Sequence, residues 1–214
     1  ISLHYTYGRG YYEEMQINDQ LSNYNLENIV IENNSIASSD IIRQRWLDND
    51  FYGLVFSYIL KKENELIVGG AWNKYVGNHF GKIIWGQYLP IEFFNKNYYN
   101  NKSIKKDGNL FVKKNLFINN KIKIFIDLQT RFAIHSGEGT DNKKQSINFQ
   151  SNYLFFNPKL GMNYSINEKS QLYASYARSN REPVRSDFVD SIKKPKHETL
   201  FDYEIGFKQK IKKG

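Results

Sequence analysis

The feature that most constrains this chain is a two-residue hydrophobic period that recurs along its length. In residues 121–134, Ile122, Ile124, Ile126, Leu128, Thr130, Phe132 and Ile134 fall on one parity. Lys121, Lys123, Asp127, Gln129 and Arg131 fall on the other, with Phe125 and Ala133 as apolar exceptions. Successive strand residues point to opposite faces, so one face is apolar and the other carries charge. Strands of about ten residues, apolar outside and polar inside, are what a transmembrane β-barrel wall requires.

The same alternation returns in Leu3/Tyr5/Tyr7, Tyr52/Leu54/Phe56/Tyr58/Leu60 and Leu66/Val68/Gly70/Trp72. It returns again in Leu110/Val112/Lys114/Leu116/Ile118, Leu160/Met162/Tyr164/Ile166, Leu172/Ala174/Tyr176 and Tyr203/Ile205/Phe207/Ile211. Helical periodicity hardly competes, and the period-2 criterion gives about eight strands. Their connectors alternate in length. Residues 61–64, 119–120 and 167–170 are tight and polar, whereas 16–42, 79–105, 136–149 and 181–198 are long. In an antiparallel meander this puts every short turn at one end and every long loop at the other, the asymmetry of an outer-membrane barrel with periplasmic turns and extracellular loops. The expected fold is therefore all-β, an antiparallel transmembrane β-barrel segment read as one unit.

Composition agrees with this and excludes alternatives. There is no cysteine, hence no disulfide and no thiolate metal site. No apolar run approaches the length of a membrane helix, which does not argue against barrel strands, because they dilute their apolar residues one in two. The 16 tyrosines and 15 phenylalanines suit aromatic girdles at the two membrane interfaces, as well as being good strand formers. The net charge of +8 invites a nucleic-acid partner. The lysines are scattered over turns (Lys61, Lys62, Lys169, Lys212, Lys213), inward parities (Lys121, Lys159, Lys208) and loops (Lys193, Lys194, Lys196), so no basic stripe forms and no nucleic acid is expected.

Several strings resemble the C-terminal barrel of TonB-dependent outer-membrane receptors of the Bacteroidetes type. They are Tyr5-Thr-Tyr-Gly-Arg-Gly-Tyr-Tyr-Glu-Glu14, Arg45-Trp-Leu-Asp-Asn-Asp-Phe-Tyr-Gly53, Gly77-Asn-His-Phe-Gly-Lys-Ile-Ile-Trp85 and Asp127-Leu-Gln-Thr-Arg131, then Phe156-Asn-Pro-Lys-Leu-Gly161, Arg181-Glu-Pro-Val-Arg-Ser-Asp-Phe188 and Asp202-Tyr-Glu-Ile-Gly206. They occur in the family's order over nearly the whole chain. The resemblance implies a barrel of about 22 strands plugged by an N-terminal domain. It also implies capture of a scarce extracellular small-molecule ligand, such as a ferric siderophore, cobalamin or a glycan, with energy delivered through the TonB complex. Outer-membrane lipid, the plug domain and that complex are the partners implied. Against that pattern, residues 1–214 read as a partial barrel domain without plug or terminal strand, a fragment expected to be incompetent for energised uptake alone.

Candidate chemistry is sparse. His4, His79, His135 and His197 show no metal-ligand spacing, there is no nucleophile motif, and neither catalysis nor a cofactor is expected. Residues 136–141 mimic a glycine-rich phosphate loop but lack its downstream helix and Lys-Ser/Thr. The best functional segment is 178–190, where Arg178, Arg181, Arg185 and Asp187 surround Pro183 with Glu182 and Asp190. Arginine forks suit carboxylates and anionic ligands, and they equally suit a salt-bridge knot that folds a loop against the lumen wall. His79 and Trp85 complete the candidate ligand-binding set, with a polar rim position the alternative for His79 and the outer aromatic girdle the alternative for Trp85. Asp127, Arg131, Lys159, Asp202 and Glu204 are expected as paired lumen charges, because buried charge needs a partner.

Two further readings remain. A self-contained barrel of about eight strands, acting as an adhesin or structural protein, fits the strand count. Its narrow core would have to hold Lys121, Lys123, Asp127, Gln129, Arg131 and Lys159, which suit a wide or plugged lumen better. A soluble sandwich predicts loops of even length, unlike those here.

Overall fold

A computed structural model describes residues 1–60 and 65–211. In chain order they form strands β1 (Ser2–Gln20), β2 (Ile29–Ile31), β3 (Asn34–Ile36), β4 (Ser38–Leu60), β5 (Leu66–Gly86), β6 (Asn97–Phe117), β7 (Ile122–Gly139), β8 (Phe149–Ser165) and β9 (Ser170–Arg181). A short helix α1 (Arg185–Asp190) and strand β10 (Glu198–Gln209) follow. One eight-stranded sheet runs β1-β4-β5-β6-β7-β8-β9-β10, every neighbour antiparallel, and β2 and β3 form a separate hairpin within the first loop. The all-β meander and the alternation of connectors are as the sequence dictates: residues 118–121 and 166–169 make tight turns, while 21–37, 87–96, 140–148 and 182–197 make the long connections. The turn expected at 61–64 and the lysines at 212 and 213 lie outside the described residues.

The cross-strand register puts the expected parities on opposite faces. On one face Leu54, Trp72, Gly108 and Phe132 form a row across β4 to β7. On the other, Lys113, Asp127 and Lys159 form a row, with Lys113 Nζ 3.1 Å from Asp127 Oδ2. The apolar face stays open where lipid would cover it: Leu3, Tyr203 and Ile205 are 78%, 74% and 85% exposed. Towards the long loops this face ends in a belt of Tyr11, Trp46 and Phe80, with ring centroids 4.4 and 5.8 Å apart. Arg9 and Lys82 lie over Trp46 at 5.2 and 5.9 Å, the aromatic-plus-cation composition of a membrane interface.

The strands are longer than the ten residues a membrane needs; β4 has 23 and β5 has 21. His79 and Lys105, expected at the ends of a loop, lie within β5 and β6 opposite Asn101 and Tyr75. Above the membrane both faces can be polar, so the alternation fades while backbone pairing continues.

Close packing sits among the loops. Leu21, Tyr24, Ile41, Ile83, Leu89, Tyr98 and Tyr99 form a buried cluster, with Leu26, Ile29, Phe93 and Phe94 against it. Tyr24 donates to Asp19 Oδ2 at 2.6 Å and packs edge-on to Tyr98, and burial pushes its phenol up. Loops 21–37 and 87–96 therefore cap strands β4 to β6 as one body.

Strands β1 and β10 are the two edges of the sheet and do not pair with each other among the described residues. The closed eight-stranded barrel is thus not the arrangement found; the sheet is an open wall, and among the described residues no second main sheet faces it as a sandwich would require.

Candidate functional site

Above Pro158 the wall splits. β8 pairs with β7 up to Gly137 and Phe149, but its pairing with β9 ends at Lys159 and Ala177. Proline offers no N–H to a ladder. Beyond it, the Asn180 side chain reaches across, donating to Phe156 O at 3.3 Å and to Asn157 Oδ1 at 2.8 Å. Residues 182–197 leave β9 at this split and fold back over the charged face.

A carboxylate anchors this strap. Glu182 is 6% exposed. Arg131 Nη1 and Nη2 donate to its two oxygens at 2.7 and 2.9 Å, and Lys105 Nζ lies 2.7 Å from Oε1. Asp107 Oδ2 accepts from Arg131 Nη2 at 2.5 Å. Burial by itself would raise the Glu182 carboxyl, but the hydrogen bonds from Arg131 and Lys105 prevail and hold it at about 2. Next along the strap, α1 packs against the strand tops. Phe188 stacks on Phe149 at 4.6 Å and meets His135 edge-on at 6.4 Å. Arg185 Nη1 lies 3.4 Å from His79 Nδ1, whose ring is 3.5 Å from the Tyr75 hydroxyl through Nε2. Tyr75 donates in turn to Asn49 Oδ1 at 2.9 Å. His135 is buried; its Nε2 is 3.0 Å from Ser103 Oγ, and its Nδ1 has no hydrogen-bond partner among the described residues. At the far end His197 packs on Phe155 and Tyr153 at 5.5 and 6.1 Å.

The TonB-dependent receptor-like β-barrel model matches residues 1–213. The chain belongs to the TonB-dependent receptor family. That family comprises outer-membrane receptors and transporters of Gram-negative bacteria, and not enzymes. Among curated proteins none matches the chain.

Within this receptor wall the candidate residues separate. His79 and Arg185 are brought together on the charged face from 106 positions apart. Arg181 ends β9 opposite Glu198 and is exposed. Asp187 is spent on the strap itself, its Oδ2 accepting the Val184 N–H at 2.8 Å at the start of α1. Two of the candidates lie on the outward parity. Arg178 pairs with Phe201 on the outward parity and lies 5.7 Å over its ring, so it does not join the strap cluster. Trp85 lies opposite Ile42 because Ile84 is an extra residue in the ladder: Arg43 pairs with Ile83, and Ile42 with Trp85. A one-residue bulge reverses the face of everything beyond it, which turns Trp85 outward above the aromatic belt, 42% exposed.

The lumen charges sit on the charged face. Asp127 meets Lys113 and lies opposite Lys159, whose ammonium is 5.9 Å over Phe125. Asp202 lies opposite Ala177, and Glu204 accepts from the Tyr173 hydroxyl at 3.0 Å. Sequence reasoning missed Lys105, Asp107 and Ser103 as site residues, and left Glu182 in a crowd of charges. The usable signal was the inward parity of β6, where Ser103, Lys105, Asp107 and Asn109 alternate with Ile104, Gly108 and Leu110.

Proposed function

We propose that this chain is part of a barrel of about 22 strands, of the Bacteroidetes type, that takes up a scarce ligand with energy from TonB. The ligand class is a ferric siderophore, cobalamin or a glycan, and a plug domain completes the gate. The observation that carries the reading is the two-faced wall: an apolar face ending in an aromatic belt, and a charged face holding a folded strap at its loop end. The side chains proposed to meet the ligand are His79, Arg181 and Arg185, beside the aromatic pair Phe149 and Phe188; the approach of Arg185 to His79 supports this. No covalent chemistry is required of them; capture and passage suffice.

The test is deletion of the gene in its source bacterium, followed by growth with iron, cobalamin or a complex glycan as the limiting nutrient. Uptake of one of these is expected to fall to the level of a strain lacking TonB, and the double deletion to add nothing. Unchanged uptake of all three, or a defect that persists independently of TonB, would overturn the reading.

A further inference from the structure

Arg131 and Lys105 converge from neighbouring strands on the carboxylate of Glu182. Three features make this more than a structural ion pair. The fork is a complete carboxylate receptor, with both guanidinium nitrogens on both oxygens of Glu182 and an ammonium on one of them. The cations remain partly open on the charged face, with the side chains of Lys105 and Arg131 37% and 23% exposed, while the carboxylate they hold is 7% exposed. The carboxylate arrives on a loop segment, so leaving the fork requires no break in the wall's ladders.

We propose that Arg131 and Lys105 form a binding site for a carboxylate-bearing ligand, and that Glu182 occupies it as a tethered competitor. When such a ligand takes the fork, residues 182–197 are released from the charged face and the split above Pro158 is uncovered. The proposal rests on the uptake reading and adds to it a ligand chemistry and a coupled movement. Asp107 stays on Arg131 throughout and keeps the guanidinium oriented as Glu182 exchanges. The remaining strap contacts, the Phe188–Phe149 stack and the Arg185–His79 approach, are weaker than the fork and set how far the strap travels.

The test uses the full receptor in detergent micelles, with Ser186→Cys carrying a spin label on the exposed side of α1. Residues 1–214 contain no cysteine, and any cysteine elsewhere in the receptor is first replaced by serine. The added anion is glutarate, whose carboxylate copies the glutamate side chain; glutaramide, its neutral counterpart, is the control. The wild-type label is expected to be immobile and to become mobile with glutarate but not with glutaramide. Glu182→Gln is expected to be mobile without any anion and to bind glutarate about a hundredfold more tightly, because the competing docked population is gone. Added to Glu182→Gln, where no tethered carboxylate competes, Lys105→Met is expected to weaken glutarate binding, because the ammonium that held Glu182 Oε1 is gone. Equal response to glutarate and glutaramide, or an immobile Glu182→Gln strap, would overturn the proposal. None of these readouts needs uptake, so strap release without TonB-dependent uptake would count against the transport reading alone.

Discussion

Glu182 joins two cations that lie 77 and 51 positions away in sequence, and its protonation should govern whether the strap stays docked. Its ordinary value of 4.5 is lowered to about 2 in the folded protein, so the stabilisation is fully present above pH 4.5 and is lost as pH falls through 2. A shift of that size corresponds to roughly 3 kcal/mol of docking free energy at neutral pH. Pepsin cleavage within 182–197 is expected to accelerate steeply between pH 4.5 and 2, and Glu182→Gln to cleave fast throughout. Arg131→Met leaves two carboxylates, Glu182 and Asp107, without their shared partner, and should cost about 3–5 kcal/mol in strap docking. Hydrogen exchange confined to residues 182–197 would show that loss, while the β7 amides stay protected. The site was legible only in part. Arg131, Arg185 and His79 are visible as charge on a strand or in a loop, but their partners are set by the path of the strap, and no local period records that path.

At the scale of the strand, the alternation was readable because the membrane enforces it: every residue of the apolar parity in residues 122–134 faces outward, and that face alone identifies β7. Reading failed where the membrane stops. The tops of β5 and β6 mix polar and aromatic residues on both faces, which breaks the alternation, and the extra residue Ile84 that moves Trp85 outward carries no compositional mark. Close strand contacts were equally silent. Gly161 lies beneath Phe125 of the neighbouring strand; a Cβ there would come within 2.0 Å of the ring. An aromatic side chain covering a cross-strand glycine pins the register of β7 on β8. Gly161→Val should cost about 1–3 kcal/mol by overpacking, read as a lower urea midpoint of the refolded receptor in bilayers. Phe125→Leu in the same background should recover part of it. Recovery of nothing would mean that the glycine is there for another reason.

For the whole molecule, what matters is that the sheet has two faces and two edges. The faces predict an asymmetry of cost. Ile126→Arg puts a charge on the lipid face beside Leu160 and should lose about 2–4 kcal/mol, whereas Gln129→Arg on the opposite face should lose little. The edges predict more. β1 offers 19 residues and β10 offers 12, each with one side of its ladder unpaired among the described residues. In hydrocarbon each unsatisfied backbone group costs several kcal/mol, so both edges must find strand partners before this wall can stand in a membrane. Residues 1–214 produced alone and refolded in detergent should therefore give no compact band on an unheated gel. They should aggregate through the exposed edges or remain an open sheet cut readily by protease. A compact band that unfolds only on boiling would mean that β1 can reach β10 after all. The lumen would then be too narrow for the strap, Glu182 would have to leave its fork, and the label on α1 would be mobile from the start. Closure of this chain is therefore expected to displace the strap, and the two measurements check each other.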